Sequence, residues 1–162
     1  MTLAGRETIV TRTLWAAVQV AVLLSLPVAA GAADDDKLVA TLKSVVEDNL
    51  RAYDAEDADG AMRSVHTRSP QYDTTKAALA EQFQDFDLSA KITGFNYVGH
   101  DDEFAVARVK IQVEGPSGSV FVNNTSDNLI LFHQEGGIWK LWTDEILGVD
   151  FEQRIGTVVP PK

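Results

Sequence analysis

Phe104-Ala105-Val106-Ala107-Arg108-Val109-Lys110-Ile111-Gln112-Val113-Glu114 is the most regular stretch of this 162-residue chain. Ala105, Ala107, Val109, Ile111 and Val113 point one way, and Arg108, Lys110, Gln112 and Glu114 the other. A period of two predicts a strand with one apolar and one wet face. Working outward, Gly115-Pro116-Ser117-Gly118 reads as a turn and Val120 to Gln134 as a long strand, bulged near Asn123-Asn124. Glu135-Gly136-Gly137 forms the next turn, and Ile138 to Ile146 the last strand. On the other side, Lys91 to Val98 is a further strand.

Upstream of Lys91 the period changes to 3.6. Lys37 to Ala55 predicts a helix, with Leu38, Leu42, Val45, Val46, Leu50 and Tyr53 on one stripe. Asp57 is placed to cap a short second helix carrying Ala58, Ala61, Met62 and Val65 on one face. Ser69-Pro70 marks a loop, and Thr74 to Phe86 a third helix with Leu79, Phe83 and Phe86 inward. Helices first and antiparallel strands after define the α+β class, with the helices on one face of the sheet. The length suits one domain with a real core.

The first 32 residues read as a signal peptide. Arg6 and Arg12 precede an apolar run from Leu14 to Leu26, Pro27 breaks it, and Ala30-Gly31-Ala32 fits the small-residue cleavage rule. Cleavage after Ala32 leaves Ala33 to Asp36 as a short acidic linker, 37–155 as the domain and 156–162 as a flexible tail. The competing reading is a retained anchor, against which Asp34-Asp35-Asp36 stands where Lys or Arg would be usual. The expected location is outside the cytoplasm, periplasmic or extracellular. Removing Arg6, Arg12 and Glu7 takes one net positive charge from the chain's −10 and leaves −11. So acidic a surface argues against nucleic acid and, once the signal is removed, against anionic membranes. Cysteine is absent, which excludes a thiol nucleophile, a thiolate metal site and any disulfide. His66, His100 and His133 lack ligand spacing, so neither a metal nor another cofactor is expected.

Three local features carry a family resemblance. Tyr53-Asp54-Ala55-Glu56-Asp57-Ala58-Asp59-Gly60-Ala61-Met62 is similar to a junction between the first two helices. Val65-His66-Thr67-Arg68-Ser69-Pro70 looks like the end of the second helix, and Gly136-Gly137-Ile138-Trp139-Lys140-Leu141 like a last hairpin. In this order, from Leu38 to Ile146, the chain resembles the nuclear transport factor 2-like superfamily, also called ketosteroid isomerase-like or SnoaL-like. The resemblance implies a cone-shaped, curved antiparallel sheet wrapped around N-terminal helices, leaving a pocket. Members include isomerases, dehydratases, hydrolases and non-catalytic binders, so the fold does not name a function.

The ketosteroid isomerase-like apparatus is a helix-1 tyrosine with two aspartates, one a proton shuttle and one a neutral donor. Aligned through Asp57, this chain places Asn49 at the tyrosine position, Asp73 near the shuttle, and Asp127 or Asn128 near the donor. The pocket residues expected are Asn49, Tyr53, Asp73, Asp127 and Trp139. Asn49 either faces the pocket or is satisfied by a neighbouring backbone group. His66 titrates near ~6.5 when unperturbed and suits a general base; at a helix end it also suits a cap or surface position. If the protein is an enzyme, Asp73, His66 and Tyr53 are its acid–base candidates. With Asn49 at the tyrosine position, however, the leading expectation is binding of a small apolar molecule without catalysis. The alternatives are an isomerase or dehydratase, and a structural interaction module. Ile130, Phe132 and Trp142 alternate with other large apolar groups, and are expected to form the face of a homodimer.

Overall fold

A computed structural model of the chain describes residues 29–85, 87–117 and 120–152. The helices α1 (Ala29–Asp54), α2 (Ala58–Arg63) and α3 (Tyr72–Asp85) precede the strands β1 (Ser89–His100), β2 (Phe104–Glu114), β3 (Asn124–Glu135) and β4 (Ile138–Phe151). The expected signal segment lies outside the described residues as far as Val28, and the expected tail lies outside them entirely. The α+β class and the helices-then-strands order are as the sequence predicts.

Helix α1 is longer at its start than expected. Ala33 to Asp36, read as a linker, are part of the helix. Four of the five residues from Ala29 to Ala33 are alanine, the strongest helix former. Leu42 and Val46, one turn apart, are buried against the sheet. Asp57 caps α2 as expected, its carboxylate accepting from the Gly60 N–H at 2.8 Å. A β-carbon on Gly60 would lie 2.2 Å from Asp57 Oδ2, so the cap requires glycine there.

The strands form one antiparallel sheet in the order β1-β2-β3-β4. The turn from β3 to β4 uses Gly136 and Gly137 at φ +60° and +82°, the left-handed conformations a tight hairpin demands. Register shifts near Thr93 and Val98 in β1, and near Trp142 and Leu147 in β4, each add one residue to a strand. Such bulges bend and twist the sheet, and its concave side faces α1.

On that side small residues of β2 meet large ones of β3, Ala105 opposite Phe132 and Ala107 opposite Ile130. With Leu42, Val46 and Val109 they make the core. This corrects the expected dimer face: Ile130 is 6% exposed and Phe132 is fully buried. Both sides of β3 are apolar, and pairing with the alanines of β2 chooses Ile130 and Phe132 for the inside. Leu129 and Leu131 take the outer face. Trp142 is not on an open face either; its ring packs against His66 and His133.

Candidate functional site

The segment between α2 and α3 binds the edge of β4. Val65 forms an isolated parallel bridge with Leu141: the Leu141 N–H donates to the Ser64 carbonyl at 2.9 Å, and the His66 N–H to the Leu141 carbonyl at 2.8 Å. Ser69 Oγ donates to the Trp142 carbonyl. The Gln71 amide then pairs with the Asp144 backbone, Nε2 donating to its carbonyl at 3.4 Å and Oε1 accepting from its N–H at 3.3 Å. This seam and α1 enclose a cavity of about 170 Å³ over the concave face of the sheet.

One wall of the cavity is apolar, from Val46, Leu50, Val65, Ile111, Ile130 and Leu141. The polar groups are Asn49, Ser69, Gln71, Thr75, Thr143 and Asp144. Asp144 lies opposite Ile130 in the β3–β4 register and therefore on the concave face. The residue is exposed at the mouth, yet its carboxyl sits beside the apolar wall. Desolvation there raises its pKa above the usual aspartate value, and the neighbouring Glu145 charge adds to the rise. It is the one titratable side chain lining this cavity among the described residues.

Of the expected pocket residues, Asn49 alone lines this cavity. Its Nδ2 donates to the Ala61 carbonyl at 2.9 Å and to Ser64 Oγ at 2.8 Å, so the amide ties α1 to α2. Tyr53 stacks edge-on against Phe83 of α3, with ring centroids 5.3 Å apart. Burial, with the Asp54 charge, pushes its hydroxyl up to about 12. Asp73 is exposed in the first turn of α3, not in a loop. Asp127 is on the outer face in a two-point ion pair with Arg108, at 2.8 and 2.7 Å. That hydrogen bonding holds its carboxyl below the ordinary range. Its neighbour Asn128 turns inward, buried, donating to the Val109 carbonyl and to Ser126 Oγ. Trp139 lines a separate surface groove of about 560 Å³ beside α1 and α2. That groove is larger, but its cations are already paired: Arg51 with Asp48, Arg63 with Asp57, Lys140 with Glu135. The smaller, apolar cavity with a perturbed carboxyl is the better candidate site.

His66 is neither a cap nor a surface residue. Its ring is fully buried, packed edge-on against His133 and Trp142 with centroids 4.8 Å away in each case. Its Nδ1 accepts from the Arg68 N–H at 3.0 Å. Phe104 completes the cluster against His133. Trp142 belongs both to this cluster and to the cavity lining, but His66 itself does not line the cavity and does not join Asp144. Asp144 and Gln71 were not singled out in the sequence. The available signal was an acid inside an apolar strand, but the extra residue at Trp142 shifts the alternation and hides which side it faces.

Residues 44–151 match the family described as the C-terminal domain of anti-sigma-I factor RsgI9. The chain belongs to this family. In this member of the RsgI9 C-terminal domain family, the matched span runs from α1 to the last residue of β4 and includes the whole cavity. None of the curated proteins compared with the chain matches it. Among solved structures, a putative scytalone dehydratase from Novosphingobium aromaticivorans is similar, with 12% identity and a TM-score of 0.58 over 75% of this chain and 93% of that one. A ketosteroid isomerase-like protein from Erwinia carotovora atroseptica has 14% identity and a TM-score of 0.52 over 70% and 98%. Bd1075 of Bdellovibrio bacteriovorus has 13% identity and a TM-score of 0.58; the match covers 70% of this chain but 42% of that longer protein. At these identities the likeness is one of fold, and the fold is the nuclear transport factor 2-like one.

Proposed function

We propose that this domain binds a small, mainly apolar molecule in the cavity between α1 and the concave sheet, and does not turn it over. The observation that carries the reading is an apolar cavity of about 170 Å³ with one desolvated carboxyl, Asp144, at its mouth. Apolar cavities of about 150 Å³ hold a benzene-sized molecule, so the ligand class is a one-ring compound with a hydrogen-bond donor for Asp144. The acid–base groups expected for an isomerase are scattered: Tyr53 on Phe83, Asp73 on the surface, Asp127 on the other side of the sheet. The family is also named for a domain of an anti-sigma factor rather than of an enzyme, which favours binding. The enzyme reading keeps one point of support, since a carboxyl with a raised pKa beside an apolar wall is how a general acid or base is tuned.

Thermal unfolding with benzene, phenol and aniline tests this. Phenol is expected to raise the melting temperature more than benzene does. Asp144→Asn should narrow that difference, while Asp73→Asn leaves it intact. If none of the three shifts the transition, the binding reading fails. Isomerisation or dehydration of a supplied substrate, lost in Asp144→Asn, would install the enzyme reading instead.

We also propose that the domain works outside the cytoplasm after cleavage following Ala32, on the strength of the apolar run and the small residues beyond Pro27. Mass spectrometry of the protein recovered from the periplasm or medium should give a chain beginning at Ala33. An intact N-terminus in the membrane fraction would refute cleavage.

A further inference from the structure

We propose that the free edge of β4, from Glu145 to Phe151, docks an extended basic peptide segment of a partner protein, which adds to the sheet as a fifth strand. β4 is the terminal strand of the sheet. Among the described residues its edge is occupied only at the start: Ser64 and His66 hold Leu141, Ser69 holds Trp142, and the Gln71 amide holds both backbone groups of Asp144. Gln71 is the last rung. The chain then enters α3 at Tyr72, and among the described residues nothing pairs with this edge beyond Asp144. A seven-residue edge is about 23 Å long at ~3.3 Å per residue, enough for a peptide strand.

The side chains on this edge are those of a docking surface. Ile146, Leu147 and Phe151 are 57%, 51% and 64% exposed. Ile146, Val149 and Phe151 lie opposite Asn128, Ser126 and Asn124, which places all three on the concave side. An added strand would cover them with its own alternate residues.

Charge selects the occupant. Between Lys140 and Glu152 the chain carries Asp144, Glu145, Asp150 and Glu152 and no Lys or Arg. Two copies pairing edge to edge would set acid against acid, a pairing that costs energy across strands. Charged side chains on an edge are a known guard against self-association. The same charges attract a partner with Lys or Arg at alternate positions, and the chain's net charge of −10 steers it in. The inference is independent of the cavity ligand, because the edge lies past the cavity's last lining residue on β4.

The test uses the full chain and labelled synthetic peptides of about eight residues, followed by fluorescence anisotropy. One peptide alternates Lys with Val, a second alternates Glu with Val, and a third is the Lys peptide with Pro at a central Val. The Lys peptide is expected to bind and the Glu peptide not. The Pro peptide should be weaker by about tenfold or more, because it lacks a ladder N–H. The double variant Glu145→Lys, Asp150→Lys alters exposed side chains only, and should weaken the Lys peptide by a similar factor. Equal binding of the Pro and Lys peptides, or unchanged binding by the double variant, overturns the proposal in favour of diffuse charge attraction. Binding that emerges only when residues 153–162 are removed overturns it in favour of the chain's own C-terminus. A dimer in sedimentation that Ile146→Lys abolishes overturns it in favour of a second copy.

Discussion

Phe132→Ala is expected to lower the unfolding free energy by about 3–5 kcal/mol, the usual cost of emptying a large aromatic site in a core. Phe132 is the largest fully buried side chain of the described residues. It lies across from Ala105 and packs with Leu42, Val46 and Ile130. Ala105 opposite it cannot grow into the space, and α1 is held to the sheet at several other points, so the cavity has little means of collapsing. Against a total of about 5–15 kcal/mol for an ordinary domain, the loss is a large fraction. Urea unfolding measures it as a shift in midpoint at nearly constant slope. Leu129→Ala, on the outer face and 38% exposed, should cost about 1 kcal/mol or less. Equal effects at the two positions would mean that the inner and outer faces of β3 have been assigned wrongly.

The second large effect is a loss of stability on mild acidification, centred on His66. Burial of the imidazole lowers its pKa below the usual 6.5. Among the groups that face it, Glu135 works in the opposite direction from 3.6 Å, while His133 and Arg68 reinforce the depression and the Gln134 carbonyl offsets it. Glu135 is itself engaged by Lys140 at 2.7 Å and by Thr67. As pH falls through ~6.5 the unfolded chain takes a proton at this histidine and the folded chain does not. The unfolded state then binds more protons, so stability falls with pH, at up to about 1.4 kcal/mol per unit for one full proton. Glu135 adds a lower window. Hydrogen bonds from Lys140 and Thr67 hold it at about 2 against an ordinary 4.5, so its contribution is present above 4.5 and fades toward 2. His66→Gln should flatten the decline just below pH ~6.5 and leave the lower window in place. The slope is the readout, because any fixed packing cost of the substitution shifts the whole profile without tilting it. A wild-type profile already flat from pH ~7 to ~5 would contradict a buried neutral His66.

Much of the fold is legible in local sequence. The strict alternation from Phe104 to Glu114 marks β2 end to end. Gly136-Gly137 announces the hairpin, and Asp57 the cap of α2. β4 runs five residues beyond its expected end at Ile146, because the extra residue at Leu147 and Gly148 blur the alternation while pairing with β3 continues to Phe151. The site was much less legible. Asn49 lines the cavity, while Tyr53, Asp73, Asp127 and Trp139 point to four other places, and nothing local in the sequence marks Asp144.

Element order, the α+β class, the caps and the turns follow from interactions between residues a few positions apart, and for those the sequence alone suffices. Which side of β3 is inside depends on the residues it meets across the sheet. Leu129, Ile130, Leu131 and Phe132 are equally apolar, and pairing with Ala105 and Ala107 breaks the tie. The cavity and the open edge depend on contacts still more distant, such as the Gln71 amide against Asp144. His66 is buried because its segment is hydrogen-bonded to Leu141, which presses the ring onto Trp142 and His133. A period of two says that a strand has two faces; the side that loses its water is decided by what packs there.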